Sequence, residues 1–298
     1  MTVQEQKIAI IIVNWNTGQC LADCLHSLAD LPEKDLIEEV TVIDNASSDR
    51  SIAVAKLAVS DTGNQPAVRF IMNKRNAGFA AANNIGLRRL EQRGSQAHAL
   101  LLNPDTVALP GLLLGMLEVF KKSERIGIVG PRILNADQTL QPSVRNFPGG
   151  KEIALYMLKL GSQVKEAKID YGQEQVVPQV MGAFFLIRRE CWQQVGQLDE
   201  GYFVWFEEVD YCRHAYDLGW QVWYTPRACG IHLGGVSFRQ VVGIRKNWPW
   251  LKSILHYARK HLSTPVVMGL YIMSVINVLL WIPASVKQWQ HKIKTEQL

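Results

Sequence analysis

Three times in the first hundred residues, a short apolar run is followed by a polar loop and then by a helical pattern. Ile8 to Val13 is continuously apolar and ends in Asn14-Trp15-Asn16. A helix follows, with Cys20, Leu21, Cys24, Leu25 and Leu28 on its apolar face and Thr17 available as its cap. Val40 to Ile43 ends in Asp44-Asn45-Ala46-Ser47-Ser48-Asp49, a small polar run that closes on a helix cap. Val68 to Ile71 leads through Asn73-Lys74-Arg75-Asn76-Ala77-Gly78 into a helix carrying Ala80, Ala81, Asn84, Ile85 and Leu87. This rhythm predicts an α/β fold, a mostly parallel sheet flanked by helices. It also gathers the loops after Val13, Ile43 and Ile71 at one edge of the sheet, where open α/β sheets bind ligands.

A fourth strand, His98 to Leu102, ends in Asn103-Pro104-Asp105. Its apolar run predicts a strand buried on both faces. Asn103 precedes a proline and is pushed towards an extended conformation. Asp105 therefore emerges beyond the strand's carboxyl end, at the edge the three loops share. A carboxylate there suits a hard cation that also takes oxygens from a phosphate, although capping of the helix expected from about Pro110 to Lys122 explains it as well.

Other candidates follow from chemistry and position. Asp44, with Asn14 and Asn16 nearby, offers acceptors for a base N–H or ribose hydroxyls. Asn76-Ala77-Gly78, with Asn83 one turn later, puts glycine-containing backbone before a helix, a good place for phosphate. Trp205-Phe206-Glu207-Glu208-Val209-Asp210 sets three carboxylates at the start of a helix expected over Phe206 to Leu218. They complement the helix dipole, and paired carboxylates also make candidate general bases. The aromatic residues beside them suit the C–H face of a sugar ring. His232 is a possible ligand, through a neutral imidazole, for a cation held by Asp105.

The remaining chain is less regular. Ile126 to Val129 is a strand, and Pro131 to Pro148 reads as extended pieces crossing the sheet. Residues 161 to 177 have weak periodicity and are expected to form a mobile loop. Val180 to Ile187 is apolar around Gly182-Ala183, Val222 to Tyr224 is a short strand, and Cys229 to His232 closes the globular part.

The 298 residues allow one large domain with an appendage, and the boundary is expected near residue 240. Lys252 to Lys260 is amphipathic and basic, and Val266 to Val286 runs 21 residues without a charge. That segment is long enough to span a bilayer core, but Asn277 and Pro283 suit an interfacial helix or hairpin equally well. A core or dimer helix is the third possibility. Four of the nine tryptophans lie in this last stretch of sixty residues, as a membrane interface would favour. The net charge of +5 suits an anionic ligand or lipid surface and falls short of a nucleic-acid footprint. Five cysteines, an odd number with no zinc spacing, suggest thiols in a reducing, cytoplasmic setting, and no leader peptide is expected. Neither G-x-G-x-x-G nor G-x-x-x-x-G-K-[ST] occurs, which disfavours a dinucleotide-binding oxidoreductase and a P-loop NTPase.

The ordered set Ile11 to Asn16, Val42 to Asp49, Asn76 to Ala80, Leu102 to Asp105, Phe206 to Asp210 and His232-x-x-Gly235-x-Ser237 resembles family 2 glycosyltransferases of the GT-A fold. Within that family it is most similar to the bacterial rhamnosyltransferase-like branch, with Asn-Pro-Asp in place of Asp-x-Asp. The resemblance spans about residues 7 to 240. It implies a Rossmann-like GT-A domain over 1–240, with a nucleotide-binding half to about 105 and an acceptor half from 106, followed by a helical, membrane-associated tail over 241–298.

The activity implied is inverting transfer of a sugar, with dTDP-L-rhamnose the favoured donor, to a lipid-linked or polysaccharide acceptor in bacterial surface glycan synthesis. Asn14, Asn16, Asp44, Asn76, Gly78, Asn83, Asn103 and Asp105 would bind the nucleotide sugar. Asp105 and His232 would hold Mg²⁺ or Mn²⁺. Gly182, Ala183 and Trp205 would face the acceptor. The base matches Glu208, with Glu207 and Asp210 as alternatives, because the family's Glu-Asp pair here reads Glu207-Glu208. The implied location is the cytoplasmic face of the inner membrane, peripheral or single-span, with pairing of C-terminal helices possible and no nucleic-acid partner. A nucleotidyltransferase and a non-catalytic nucleotide-sugar-binding membrane module are the competing classes. The first should carry a basic loop near the N-terminus, and the loop after Val13 has no Arg or Lys.

Overall fold

The structure, a computed structural model, describes residues 6–60, 66–158, 160, 161, 168–236, 244–276 and 278. The expected alternation is present. β1 (Ile8–Asn14), α1 (Cys20–Ala29), β2 (Ile37–Asp44), α2 (Ser51–Ser60), β3 (Val68–Met72), α3 (Phe79–Gln92) and β4 (His98–Leu102) follow in turn. All three strand pairs are parallel, and the register sets Asn14 beside Asp44 and Asp44 beside Met72. Every residue of β4 is buried, as four consecutive apolar residues between two strands require.

Beyond β4 the sheet becomes mixed. β5 (Thr106–Ala108), α4 (Leu112–Phe120) and β6 (Ile126–Leu134) are followed by the short β7 (Leu140–Gln141) and β8 (Val144–Arg145). Then come α5 (Gly150–Met157), β9 (Gln175–Val177), β10 (Gln179–Val180), β11 (Phe184–Ile187), α6 (Arg189–Val195), α7 (Glu207–Asp217), β12 (Gln221–His232) and α8 (Ile244–His261). The main sheet runs β3-β2-β1-β4-β11-β6-β12-β5, with β7 on β6 and β9 on β12. β11 is antiparallel to both of its neighbours, β4 and β6. Alternate side chains feed two cores. Ile8, Ile10, Ile12, Leu100 and Leu102 join α1 and α4 on one face, while Ala9, Ile11, Val13, Ala99 and Leu101 join α3, α6 and α7 on the other.

Three local expectations change. Thr17 does not cap α1, because its hydroxyl donates to Asn14 Oδ1 at 2.5 Å. The apolar stretch Val180 to Ile187 divides between β10 and β11, with residues 181–183 turning between them. Val222 to Tyr224 and Cys229 to His232 belong to a single strand, β12. Pro226, which has no N–H to give a ladder, sits where the register shifts between Thr225 and Cys229. The stretch expected as a mobile loop is built into the fold from residue 168 onward. Tyr171 Oη accepts the N–H groups of Ser143 and Val144 at 3.1 and 3.2 Å, and β9 pairs with β12. Aromatic anchoring of this kind leaves no periodic trace in a sequence. Residues 162–167 lie outside the described residues.

The tail begins with α8, whose inner face joins the α/β body. Leu251, Ile254, Tyr257 and Ala258 pack with Ile153 and Met157 of α5, with Tyr202, and with Val209 of α7. An ionic cluster pins its end. The Asp210 carboxylate, 4% exposed, accepts from Lys260 Nζ at 2.7 Å and from Tyr202 Oη at 3.1 Å, and it meets His261 Nε2 at 2.7 Å. Lys260 also reaches Asp199 at 2.7 Å. Burial alone would raise the Asp210 carboxyl, but His261 and Lys260 outweigh it and hold it below the ordinary carboxylate range.

Residues 264–276 continue as helix. Residues 277 and 279–298 lie outside the described residues, and with them much of the charge-free segment 266–286, including Asn277 and Pro283. Among the described residues no helix is long and apolar enough to cross a membrane.

Removing a buried anion from such a cluster strands its partners. Asp210→Ala is expected to lower stability by about 3 kcal/mol, measured by urea unfolding at neutral pH. Because the folded-state value is depressed, this contribution is complete above the ordinary Asp value of about 3.9 and fades as pH falls from there towards the lowered value. The gap between wild type and variant should close over that window.

Candidate active site

Strand register assembles the site. Phe184 of β11 pairs with Leu102 of β4, so Gly182 and Ala183 sit directly over Asn103, whose N–H donates to the Ala183 carbonyl at 3.0 Å. His232, the last residue of β12, pairs with Thr106 of β5, and the Leu233 N–H donates to the Asp105 carbonyl at 2.9 Å. These pairings bring Asp105 Oδ1 within 3.4 Å of His232 Nε2. Asp105 is buried, and its other oxygen accepts the Val236 N–H at 3.4 Å. Burial would raise this carboxyl, yet His232, when it carries a second proton on Nε2, and the Val236 N–H hold it below the usual range. A carboxylate and an imidazole edge facing each other in a buried setting are a suitable donor pair for a divalent cation. Among the described residues no group of three or more His, Cys, Asp or Glu side chains could enclose a metal. A cation on Asp105 and His232 would therefore complete its shell from ligand oxygens and water, as Mg²⁺ commonly does. The helix-capping role weighed for Asp105 is not what the structure shows.

These groups line one cavity of about 1370 Å³. Val13, Trp15, Asn45, Asn76 and Gly78 wall one side, and Asn103, Asp105 and His232 also line it. Gly182, Ala183, Trp205, Glu207 and Glu208 wall the far side. Glu207 and Glu208 open α7, and the Oε2 atom of each is shielded from solvent and has no hydrogen-bond partner within the protein. Burial pushes the Glu207 carboxyl well up, helped by the charge of Glu208. Glu208 is raised by burial as well, against an opposing pull from Arg145. A Cβ placed on Gly182 would lie 3.5 Å from Glu208 Cβ, so the absent side chain leaves room immediately over the carboxylate's stem. Trp205 and Phe206, just before α7, both adopt left-handed backbone conformations, at φ +64° and +73°. Strain of this kind persists only where the surroundings enforce it. Here Ser253 of α8 donates to the Val204 carbonyl at 2.8 Å.

Residues 9–196 match the model of glycosyl transferase family 2. The chain belongs to that family. It is a glycosyltransferase of the rhamnosyltransferase-like kind. It is 27% identical over 242 residues to N-acetylglucosaminyl-diphospho-decaprenol L-rhamnosyltransferase of Mycobacterium tuberculosis, covering 76% of this chain and 75% of that one. It is 26% identical over 191 residues to rhamnosyltransferase WbbL of Escherichia coli, covering 62% and 72%. Its fold matches GalNAc-T7, solved with UDP, GalNAc and Mn²⁺, at a TM-score of 0.60 and 18% identity over 85% of this chain, which spans about half (48%) of that one. A mannosyltransferase from Pyrobaculum calidifontis, in complex with GDP-Man and Mn²⁺, matches at 0.53 and 14% identity over 92% and 82%.

Several glycosyltransferase site candidates sit behind the cavity wall rather than on it. Asn14 is fully buried, and its amide donates to Asp44 Oδ1, Ser47 Oγ and Ser51 Oγ at 2.9 to 3.0 Å. Asp44 also accepts the Ser47 N–H through its other oxygen. Asn16, at φ +51°, uses its Oδ1 to accept the N–H groups of Ser48 and Asp49. Asn83 bonds back to the Phe79 carbonyl at 3.0 Å. Asp210 faces α8, as described above. The phosphate cradle expected at Ala77-Gly78 is not available. The Ala77 N–H goes to Asn45, the Gly78 N–H to Asn76 and the Phe79 N–H to the Phe203 carbonyl.

Asn45 and Trp250 were not singled out from sequence, yet both line the cavity. Asn45 donates to Asn76 Oδ1 and the Gly78 carbonyl, and it accepts from Asn73 and Ala77, tying two loops together. Its signal was its place one residue past Asp44. Trp250 had none, because nothing in the sequence turns α8 towards the site.

Gly78 is at φ +90°, and a Cβ there would stand 2.5 Å from the Phe203 carbonyl oxygen. Gly78→Ala should cost at least about 2 kcal/mol in thermal or urea unfolding, since backbone strain and a backbone clash combine.

Proposed function

We propose that this glycosyltransferase moves one sugar, with inversion, from a nucleoside-diphosphate donor to a hydroxyl of a lipid-linked or glycan acceptor in bacterial surface glycan synthesis, L-rhamnose from dTDP-L-rhamnose being the favoured donor. One observation carries this: Asp105 with His232, and Glu208 with Glu207, line one cavity whose far wall has Gly182 over Glu208. The activity named for the mycobacterial relative, which aligns over about three quarters of each chain, supports both the sugar and a lipid-linked acceptor.

An acceptor hydroxyl is a poor nucleophile until a base takes its proton. Glu208 is the proposed base, because burial raises its proton affinity and its Oε2 has no internal partner. Glu207 is the alternative, while Asp210 is already committed to Lys260 and His261. The hydroxyl attacks the anomeric carbon, the bond to the diphosphate breaks, and the proton ends on the carboxylate. One displacement with the base across from the leaving group inverts the centre. Asp105 and His232 would hold Mg²⁺ or Mn²⁺, which when bound neutralises charge developing on the departing diphosphate.

A peripheral seat on the inner membrane's cytoplasmic face fits residues 264–276. Met268, Ile272 and Val275, spaced three and four apart, are 61 to 68% exposed on that helix.

Incubation with a panel of nucleotide sugars and lipid-diphosphate acceptors, following released nucleoside diphosphate, tests the reaction directly. Glu208→Gln should lower transfer by about 10³-fold with donor affinity kept. Full activity would move the base elsewhere. A base with a raised value loses function as pH falls through that value. The acid limb of kcat should therefore lie above the ordinary Glu value of about 4.3. Excess EDTA should abolish turnover, and turnover that persists would remove the cation from Asp105.

A further inference from the structure

Gln141 lies on β7, in the hairpin that folds back on β6, and its side chain reaches His232. Its Oε1 is 2.8 Å from His232 Nδ1. Its Nε2 donates to Asn135 Oδ1 at 2.7 Å and to the backbone carbonyl of His232 at 3.3 Å. The orientation of this amide follows from its neighbours. The His232 carbonyl can only accept. Asn135 in turn gives its own Nδ2 to Thr139 Oγ1 at 2.9 Å and to the Leu140 carbonyl at 3.5 Å, which leaves Oδ1 facing Gln141. Rotating the Gln141 amide by half a turn would set its oxygen against two acceptors at once. The oxygen therefore faces the imidazole, and Nδ1 must carry the hydrogen.

We propose that Gln141 is a positioning residue that fixes the His232 tautomer and ring angle, so that the bare Nε2 lone pair is turned onto the locus shared with Asp105. This rests on the cation site assigned to Asp105 and His232 in the proposed function. Two further contacts agree. Asn103 Nδ2 lies 3.4 Å from Nε2, a donor facing a lone pair. Asp105 Oδ1 lies 3.4 Å from the same nitrogen, so in a neutral ring two acceptors converge on a point that a cation would satisfy. A second hydrogen bond, from Gln141 to the His232 carbonyl, locks the residue at backbone and ring together. Outer partners of ligating histidines act in this way, and losing one typically weakens metal binding by about 10- to 100-fold.

The test uses the full chain labelled with ¹⁵N-histidine, free of metal and at alkaline pH. Long-range ¹H–¹⁵N spectra report which ring nitrogen carries the proton, and His232→Gln assigns the signal. Wild type should show the Nδ1–H tautomer. Gln141→Leu should lose that preference. Mn²⁺ affinity, read by electron paramagnetic resonance with dTDP present, should fall by about 10- to 100-fold in Gln141→Leu. An Nε2–H tautomer in the wild type would overturn the assignment even if no variant folds, and so would a tautomer unchanged by Gln141→Leu. Absence of Mn²⁺ binding to a wild type that shows the Nδ1–H tautomer would instead overturn the cation site and leave the role of Gln141 in orienting the ring standing.

Discussion

The pairing of β5 with β12 spans three residues, and the chemistry proposed for this protein depends on it. Asp105 and His232 are far apart in sequence, and neither is a strong ligand alone. Antiparallel register from Thr106 to Ala108 sets His232 against the strand that follows Asp105, and a backbone hydrogen bond from Leu233 closes the arrangement. The resulting 3.4 Å contact is a product of main-chain geometry. Side-chain attraction then only has to maintain it. The same economy appears across the sheet, where β11 enters antiparallel beside β4 and lays Gly182 and Ala183 over Asn103. Two strand pairings thus place the Asp105 carboxylate and the wall at Gly182 and Ala183 in one cavity.

Much of the frame could be read from the chain because its causes are local. Buried parallel strands need continuous apolar runs, and Ile8 to Val13 and Ala99 to Leu102 supply them. The shared edge of the loops after β1, β2 and β3 follows from right-handed βαβ connection. Asp105, Glu207 and Glu208 were legible because each directly follows a recognisable strand end or opens a helix. The polar loop residues were harder. Asn14, Asp44 and Asn45 are adjacent in sequence or register, yet Asn14 and Asp44 satisfy one another behind the wall while Asn45 reaches the wall. No periodicity distinguishes a polar side chain that braces a loop from one that meets a ligand. Likewise, three carboxylates at one helix start looked equivalent, and only the position of α8 commits Asp210 to Lys260 and His261.

The paired glutamates show how burial differentiates groups that sequence cannot. Both open α7, where a helix dipole favours negative charge. Desolvation opposes it and prevails, so both carboxyls hold their protons more tightly than in water. Arg145 opposes this at Glu208. Asp105, though also enclosed, moves the other way when a doubly protonated His232 faces it. Opposite shifts on the two sides of one cavity suit opposite tasks, anion on one wall and proton acceptor on the other.

The attachment of α8 has a consequence for the order in which the molecule becomes competent. Ser253 steadies the strained backbone ahead of α7, and Trp250 forms part of the cavity wall, yet both are translated after every other wall residue. A chain emerging from the ribosome can assemble its sheet and bring Asp105 to His232 while the stretch around Trp205 and Phe206 still lacks its buttress. Such a chain would hold Asp105 against His232 before the wall beside Trp205 is braced. Synthesis from one end to the other therefore leaves that wall incomplete until α8 has docked.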